Sequence, residues 1–311
     1  MDNSVCYDAA AAFACYPDSD QINAWSETLY ARAKDETIHG EFMNLSPVTP
    51  WFGNNPNTLE NRFVRFRAQD HSFYGYWQPA LKTPAPLLIN LPGYGAYVSN
   101  HPQLNDDGFH VLHISPMGYT TPSGIDVTQQ MEDKNWPVLD LTARGEPGGY
   151  ADWLLDVLLA IRWARERPEV IADRVSLFGT SQGGGASLLV ASIMQEEIRC
   201  VCADLPFLTA FPLSELQGEA YGILRKSYRE MPHAQFWFNL GLVDTLSHAH
   251  RLHIPVMLSA GGQDHVCPRE GIEELFRRLN TTKQYSFLTD VAHTHSRESM
   301  YLFRSWFALF A

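Results

Sequence analysis

The chain has 311 residues, 45% of them hydrophobic and 19% charged, with a formal net charge of −12. That length buries a sizeable core, and the apolar share excludes a disordered chain. The negative balance speaks against nucleic acid or an anionic membrane surface as the natural partner.

Targeting and redox signals are sparse. No Lys or Arg precedes Arg32, and Ala9 to Ala12 is too short a run for the apolar core of a secretory signal. Apolar runs such as Val157–Ile161 fall far short of a membrane span. The five cysteines, Cys6, Cys15, Cys200, Cys202 and Cys267, are odd in number and lack C-x-x-C spacing. Free thiols in a reducing cytoplasm are the expectation.

Residues 1–60 read as an extension: one amphipathic helix near Gln21 to Lys34, then a loop rich in Pro and Asn through Asn57. Residues 61–311 read as one α/β domain. Phe63–Arg67 and Phe73–Trp77 alternate apolar and polar residues around Asp70, which predicts an antiparallel hairpin at a sheet edge. Short apolar runs follow at Leu87–Leu91, Val111–Ile114, Val175–Phe178, Cys200–Ala203, Pro255–Leu258 and Tyr285–Leu288. Such runs suit parallel strands buried on both faces. Helical patterns at Tyr150–Glu166, Pro268–Leu279 and Ser296–Phe310 lie between or after them. The alternation predicts a mostly parallel, doubly wound sheet with its site at the carboxyl ends of the strands. Residues 205–250 interrupt it and read as a small helical cap.

Gly179-Thr180-Ser181-Gln182-Gly183 follows the run Arg174–Phe178 and opens into Gly184–Ala191. Strand, sharp turn and helix with a serine at the apex is the context of a G-x-S-x-G nucleophile elbow. The glycines let strand and helix pass closely, and the Gln182 N–H at the helix start points where an oxyanion would form. A serine nucleophile needs a base and an orienting acid, here in the order Ser, Asp/Glu, His. Asp264, just beyond the run Pro255–Ser259, is the expected acid, with Asp204 as rival. His293 and His295 both stand in the loop before the last helix, and loop length favours His293 as base. Tyr94, in Pro92-Gly93-Tyr94-Gly95, is expected to give the second oxyanion N–H.

Other patterns are weaker. His248, His250 and His253 have no Cys or acid cluster beside them, so no metal is expected. Gly93-Tyr94-Gly95 does not extend to a dinucleotide fingerprint, so no cofactor is expected. Cys202 and Cys267 read as small buried hydrophobes.

These motifs resemble the acetyl xylan esterase / cephalosporin-C deacetylase family of α/β-hydrolases over roughly residues 60–310. Ser181–Gly185 resembles the family's Ser-Gln-Gly-Gly-Gly elbow, Asp264–Pro268 its Asp-x-x-Cys-Pro, and Pro92–Gly95 its oxyanion loop. Ala203–Leu208 resembles its Asp-x-Pro-Phe-Leu segment, which implies that Asp204 is a structural feature of the family and weakens it as the acid. The family's Arg-Gly-Gln-Gly is absent, with Ser115-Pro116-Met117-Gly118 in its place, and Thr294-His295 rather than Glu-Gly follows His293. The resemblance implies an α/β-hydrolase fold and a serine esterase removing small acetyl groups from a small-molecule ester. It also implies a homo-oligomer. The same residues would serve a peptidase or thioesterase, and a non-catalytic binding scaffold is the reading from a different class.

Overall fold

The computed structural model describes residues 6–43, 62–68, 70–131, 136–214 and 221–311. The loop through Asn57, the boundary at residue 60 and residues 215–220 of the expected cap lie outside the described residues.

Two helices, α1 (Ala9–Phe13) and α2 (Ser19–Asp35), precede a short strand β1 (His39–Phe42). Asp18 opens α2 with a capping box: its side chain accepts from Gln21 N–H, and the Gln21 side chain accepts from Asp18 N–H. Strands β2 (Arg62–Arg67) and β3 (Ser72–Gln78) form the expected antiparallel hairpin. The hairpin is not the sheet edge, because β1 pairs antiparallel outside β2. His39-Gly40-Glu41-Phe42 carries no apolar run, so the sequence pattern does not mark it as strand.

Next come β4 (Ala85–Leu91), α3 (Pro102–Asp106), β5 (His110–Ser115) and a two-stranded ladder of β6 (Thr120–Thr121) with β7 (Gly124–Ile125). Helices α4 (Val138–Arg144) and α5 (Tyr150–Arg165) lead to β8 (Val170–Thr180), α6 (Gln182–Met194) and β9 (Val201–Asp204). Three short helices, α7 (Leu224–Glu230), α8 (His233–Gly241) and α9 (Thr245–His248), follow. The chain then runs through β10 (Val256–Gly261), α10 (Arg269–Arg278), β11 (Lys283–Leu288) and α11 (Arg297–Phe310).

The large sheet has the order β1-β2-β3-β5-β4-β8-β9-β10-β11. Its strands from β5 to β11 pair in parallel, and β3 joins β5 antiparallel. Helix α5 is buried along nearly its whole length, and α6 throughout. A helix apolar all round belongs inside rather than on a surface. The other face is covered by α11, whose Phe303 and Phe307 pack edge-on against Phe178 of β8. Strand β11 differs from the expectation of burial on both faces: it is an outer strand, only partly covered, with Phe287 40% exposed.

The N-terminal segment is tied to this body. Tyr16 donates a 2.7 Å hydrogen bond to buried Asp244, which also accepts from Ala210, Phe211 and Leu246 N–H. Arg251 reaches Asn23 of α2 at 2.7 Å. Parallel strands all point their carboxyl ends the same way, so the loops after β4, β8, β9, β10 and β11 gather at one end of the sheet.

Candidate active site

Ser181 stands between β8 and α6 with φ 58° and ψ −123°, a left-handed conformation a serine rarely adopts. Its neighbours hold it there. Ser181 N–H donates to Asp204 O at 2.9 Å, and Ser181 O accepts from Phe207 N–H and Gly185 N–H. The two elbow glycines have a steric reason. A Cβ on Gly183 would lie 2.0 Å from Leu91 O, and one on Gly179 would lie 2.4 Å from the Gly183 carbonyl carbon. Only bare backbone fits where strand and helix cross so closely.

His293 reaches the serine from the loop after β11. Its Nε2 is 2.9 Å from Ser181 Oγ and its Nδ1 is 2.9 Å from Asp264 Oδ2. Asp264 follows β10 and is buried, and its Oδ1 accepts from Val266 and Cys267 N–H at 2.8 and 2.9 Å. Those two bonds fix the carboxylate and leave Oδ2 for the imidazole. With Nδ1–H donated to Asp264, Nε2 is left to accept the Ser181 O–H (a tautomer assigned from the bonding pattern). The His293 loop itself sits on glycine backbone: Gln263 N–H donates to Val291 O at 3.0 Å, and a Cβ on Gly261 would meet that same oxygen at 2.4 Å.

His295, the second histidine, turns elsewhere. Its Nδ1 lies 3.3 Å from Thr180 Oγ1 and 3.5 Å from Asp204 Oδ2. Asp204, the rival acid, is fully buried and accepts from the hydroxyls of Thr180 (2.9 Å), Ser259 (2.5 Å) and Ser299 (2.7 Å). This carboxylate joins the ends of β8, β9 and β10 to the start of α11. The two Asp/His pairs are therefore separate, and the one containing His293 meets the serine.

Gln182 is the first residue of α6, beside the serine. Its side chain reads both ways: Oε1 accepts a 2.6 Å hydrogen bond from Tyr150 O–H, and Nε2 lies 3.4 and 3.5 Å from Pro92 O and Gly93 O. The Tyr94 hydroxyl donates to Trp136 O at 2.5 Å, and the Trp136 ring stacks on Tyr119 at 4.2 Å. The loop carrying Tyr94 is thus held at both its glycine and its phenol, next to the elbow.

Tyr150 and Cys267 also belong to this neighbourhood, beyond the residues that the sequence pattern marks. The Cys267 thiol is buried and shares a hydrogen bond with the Ser181 side chain; burial first, then the Asp264 charge, pushes it well above the usual thiol range. Its place in Asp-x-x-Cys-Pro was the available signal, since three residues after Asp264 it shares the acid's turn. His248 and His250 are hydrogen-bonded elsewhere. His248 bonds Ser192 Oγ and Leu242 O, and His250 bonds Ser247 O and Asn23 Oδ1.

Residues 68–305 match the family model for acetyl xylan esterase (AXE1). Among solved structures, acetyl xylan esterase 1 from Thermoanaerobacterium sp. JW/SL YS485 is 20% identical with a TM-score of 0.77, covering 94% of each chain. The acetyl xylan esterase from Paenibacillus sp. R4 is 17% identical with a TM-score of 0.76, covering 98% of this chain and 100% of that one. An acylaminoacyl peptidase from Pyrococcus horikoshii is 17% identical with a TM-score of 0.63, over 80% of this chain and 41% of that one. At these identities the solved structures establish the α/β-hydrolase fold, while the family match spans well over half of the chain. The chain belongs to the acetyl xylan esterase family of α/β-hydrolases and is a serine carboxylic-ester hydrolase.

Proposed function

We propose that this esterase removes acetyl groups from small or carbohydrate-linked acetyl esters through an acyl-enzyme on Ser181. The observation that carries the reading is the unbroken chain from Ser181 Oγ through His293 to Asp264, with 2.9 Å at both links. His293 Nε2 takes the serine proton as Oγ attacks the ester carbonyl, and then delivers it to the leaving alkoxide. Asp264 keeps the ring in the required tautomer and stabilises the imidazolium. The N–H groups of Tyr94 and Gln182 receive the oxyanion. Water, deprotonated by the same imidazole, releases acetate and regenerates the serine. The residues do this without a cofactor.

The acetyl preference comes from the family and from what the two acetyl xylan esterases compared above are named for. The test is initial-rate hydrolysis of p-nitrophenyl esters from acetate to octanoate, wild type against Ser181→Ala. Rates that peak at acetate and vanish in the variant support the reading; activity indifferent to Ser181 overturns it. The same proposal includes a homo-oligomer, checked by light scattering. It also includes a cytoplasmic setting, for which the free cysteines speak. Among the described residues no helix is long and apolar enough to cross a membrane.

A further inference from the structure

Three side chains of different donor type meet beside the serine. Among the described residues, an oxygen of Asp264, the sulfur of Cys267 and a ring nitrogen of His293 all lie within 4.8 Å of one another. Asp264 and Cys267 are buried, and His293 is partly covered. Sulfur, imidazole nitrogen and carboxylate oxygen together are the ligand types that zinc takes at about 2.0–2.3 Å, which puts tetrahedral edges at ~3.5 Å.

We propose that Asp264, Cys267 and His293 form an inhibitory site for a borderline-soft divalent cation of the zinc class. The ligand atoms would be Asp264 Oδ2, His293 Nδ1 and Cys267 Sγ. Asp264 Oδ2 and His293 Nδ1 already face each other at 2.9 Å, and the remaining carboxylate oxygen is held by two backbone N–H groups. The cation takes the place of the proton between Asp264 and His293. On binding, the ring changes tautomer, its one N–H passing through solvent from Nδ1 to Nε2. The thiol proton leaves to solvent, the cation releases bound waters as the metal–sulfur, metal–nitrogen and metal–oxygen bonds form, and no electrons are exchanged. A water molecule completes four-coordination. Hard cations such as Mg2+ and Ca2+, which demand six or more oxygen ligands, do not suit this set.

The consequence is mutual exclusion. With the metal on Nδ1, the imidazole loses the carboxylate that orients it and cannot carry the proton cycle. The inhibition rests on the function proposed above, whereas the metal binding does not.

The test therefore starts with a protein that needs no turnover. Ser181→Ala is titrated with Co2+, whose thiolate ligation gives a near-ultraviolet charge-transfer band and whose tetrahedral geometry gives strong visible bands. Both bands are expected, with zinc displacing the cobalt and Mg2+ failing to do so. The double variant Ser181→Ala/Cys267→Ser is expected to lose the near-ultraviolet band and to bind at least about tenfold more weakly, with its circular dichroism unchanged. Cys267→Ala serves in its place should the serine variant fail to fold. No thiolate band, or a band that survives loss of Cys267, overturns the proposal. In the wild type, zinc is expected to stop ester hydrolysis, with recovery on adding a chelator and with weaker inhibition in Cys267→Ser. Equal inhibition of both proteins also overturns it. Absent basal hydrolysis would instead count against the esterase reading and leave the cobalt result standing.

Discussion

The phenolic hydroxyl of Tyr150, at the start of α5, donates a 2.6 Å hydrogen bond to Oε1 of Gln182, the residue that follows the serine. Both residues are buried, so the amide is held where no water competes. Its other end faces Pro92 O and Gly93 O. Tyr150 thereby sets the spacing between the elbow and the Tyr94 loop without touching either reacting atom. Tyr150→Phe leaves a buried amide oxygen unpaired, at a cost of about 1–3 kcal/mol. The expected outcome is a kcat for p-nitrophenyl acetate lowered by roughly tenfold with a smaller change in KM, because the proposed oxyanion donors would lose alignment more than the substrate loses contact. An unchanged kcat in a folded variant would remove this positioning role.

The two histidines separate cleanly as variants. His293→Ala removes the ring that bridges Ser181 and Asp264, and a loss on the order of 10³-fold or more in kcat is expected. His295→Ala removes a ring that contacts Thr180 and Asp204, and the loss is expected to stay within about tenfold. The reverse ranking, measured by initial rates, would transfer the base to His295.

Backbone strain at Ser181 makes a stability prediction that runs against activity. Its positive φ costs on the order of 1–3 kcal/mol for a residue with a Cβ, and glycine escapes that cost while giving back about 0.5–1 kcal/mol of unfolded-chain entropy. Ser181→Gly is expected to melt at a higher temperature than Ser181→Ala, though both lack turnover. Equal or reversed midpoints in calorimetry would show that the conformation carries no strain.

Acid stability follows from buried imidazoles. Burial pushes His101 and His113 down to about 3 and His248 to about 4. Their folded values lie below those of the unfolded chain, near 6.5, so the unfolded state takes up protons first. The stability they contribute is whole above pH 6.5 and falls as pH drops towards 4, with a slope approaching about 1.4 kcal/mol per pH unit for each ring. His71 has the opposite sign: its hydrogen bond to Asp156 raises it, so its contribution is present below its unfolded value and is lost on going above its folded one. Burial also lowers His110 and His250, so five of the described rings run down and only His71 runs up. The buried Asp156 and Asp244 carboxyls, raised by burial, offset part of this, and a net decline is expected below pH 6.5, read as a falling denaturant midpoint. A midpoint flat from pH 7 to pH 5 would contradict it.

Much of this molecule was legible in its sequence, for reasons that differ from part to part. The elbow could be read because its glycines answer a local steric demand: Gly183 has Leu91 O where a side chain would be. The strands could be read because parallel pairing buries both faces and leaves a run of apolar residues. The same logic misplaced the sheet edges. Strand β1 is short and polar, and β11 carries an apolar run like a central strand although it is the outer strand, with one exposed residue and the rest half-buried. The choice between His293 and His295 rested on loop length alone, since two residues in one loop carry the same local pattern. Tyr150 and Cys267 lay beyond local reading for another reason. Tyr150 lies 32 residues before the amide it holds, and Cys267 answers to a serine on another strand's loop. No periodicity records such a meeting.

The buried carboxylate of Asp204 has one further consequence. Hydroxyls from Thr180, Ser259 and Ser299 converge on it, and the backbone N–H of Ser181 rests on the Asp204 carbonyl. The residue beside Ser181, the strand that presents Asp264 and the helix that follows His293 therefore share one anchor. On warming, the site has no separate melting of its own: loss of hydrolysis and loss of the sheet's circular dichroism should follow a single curve.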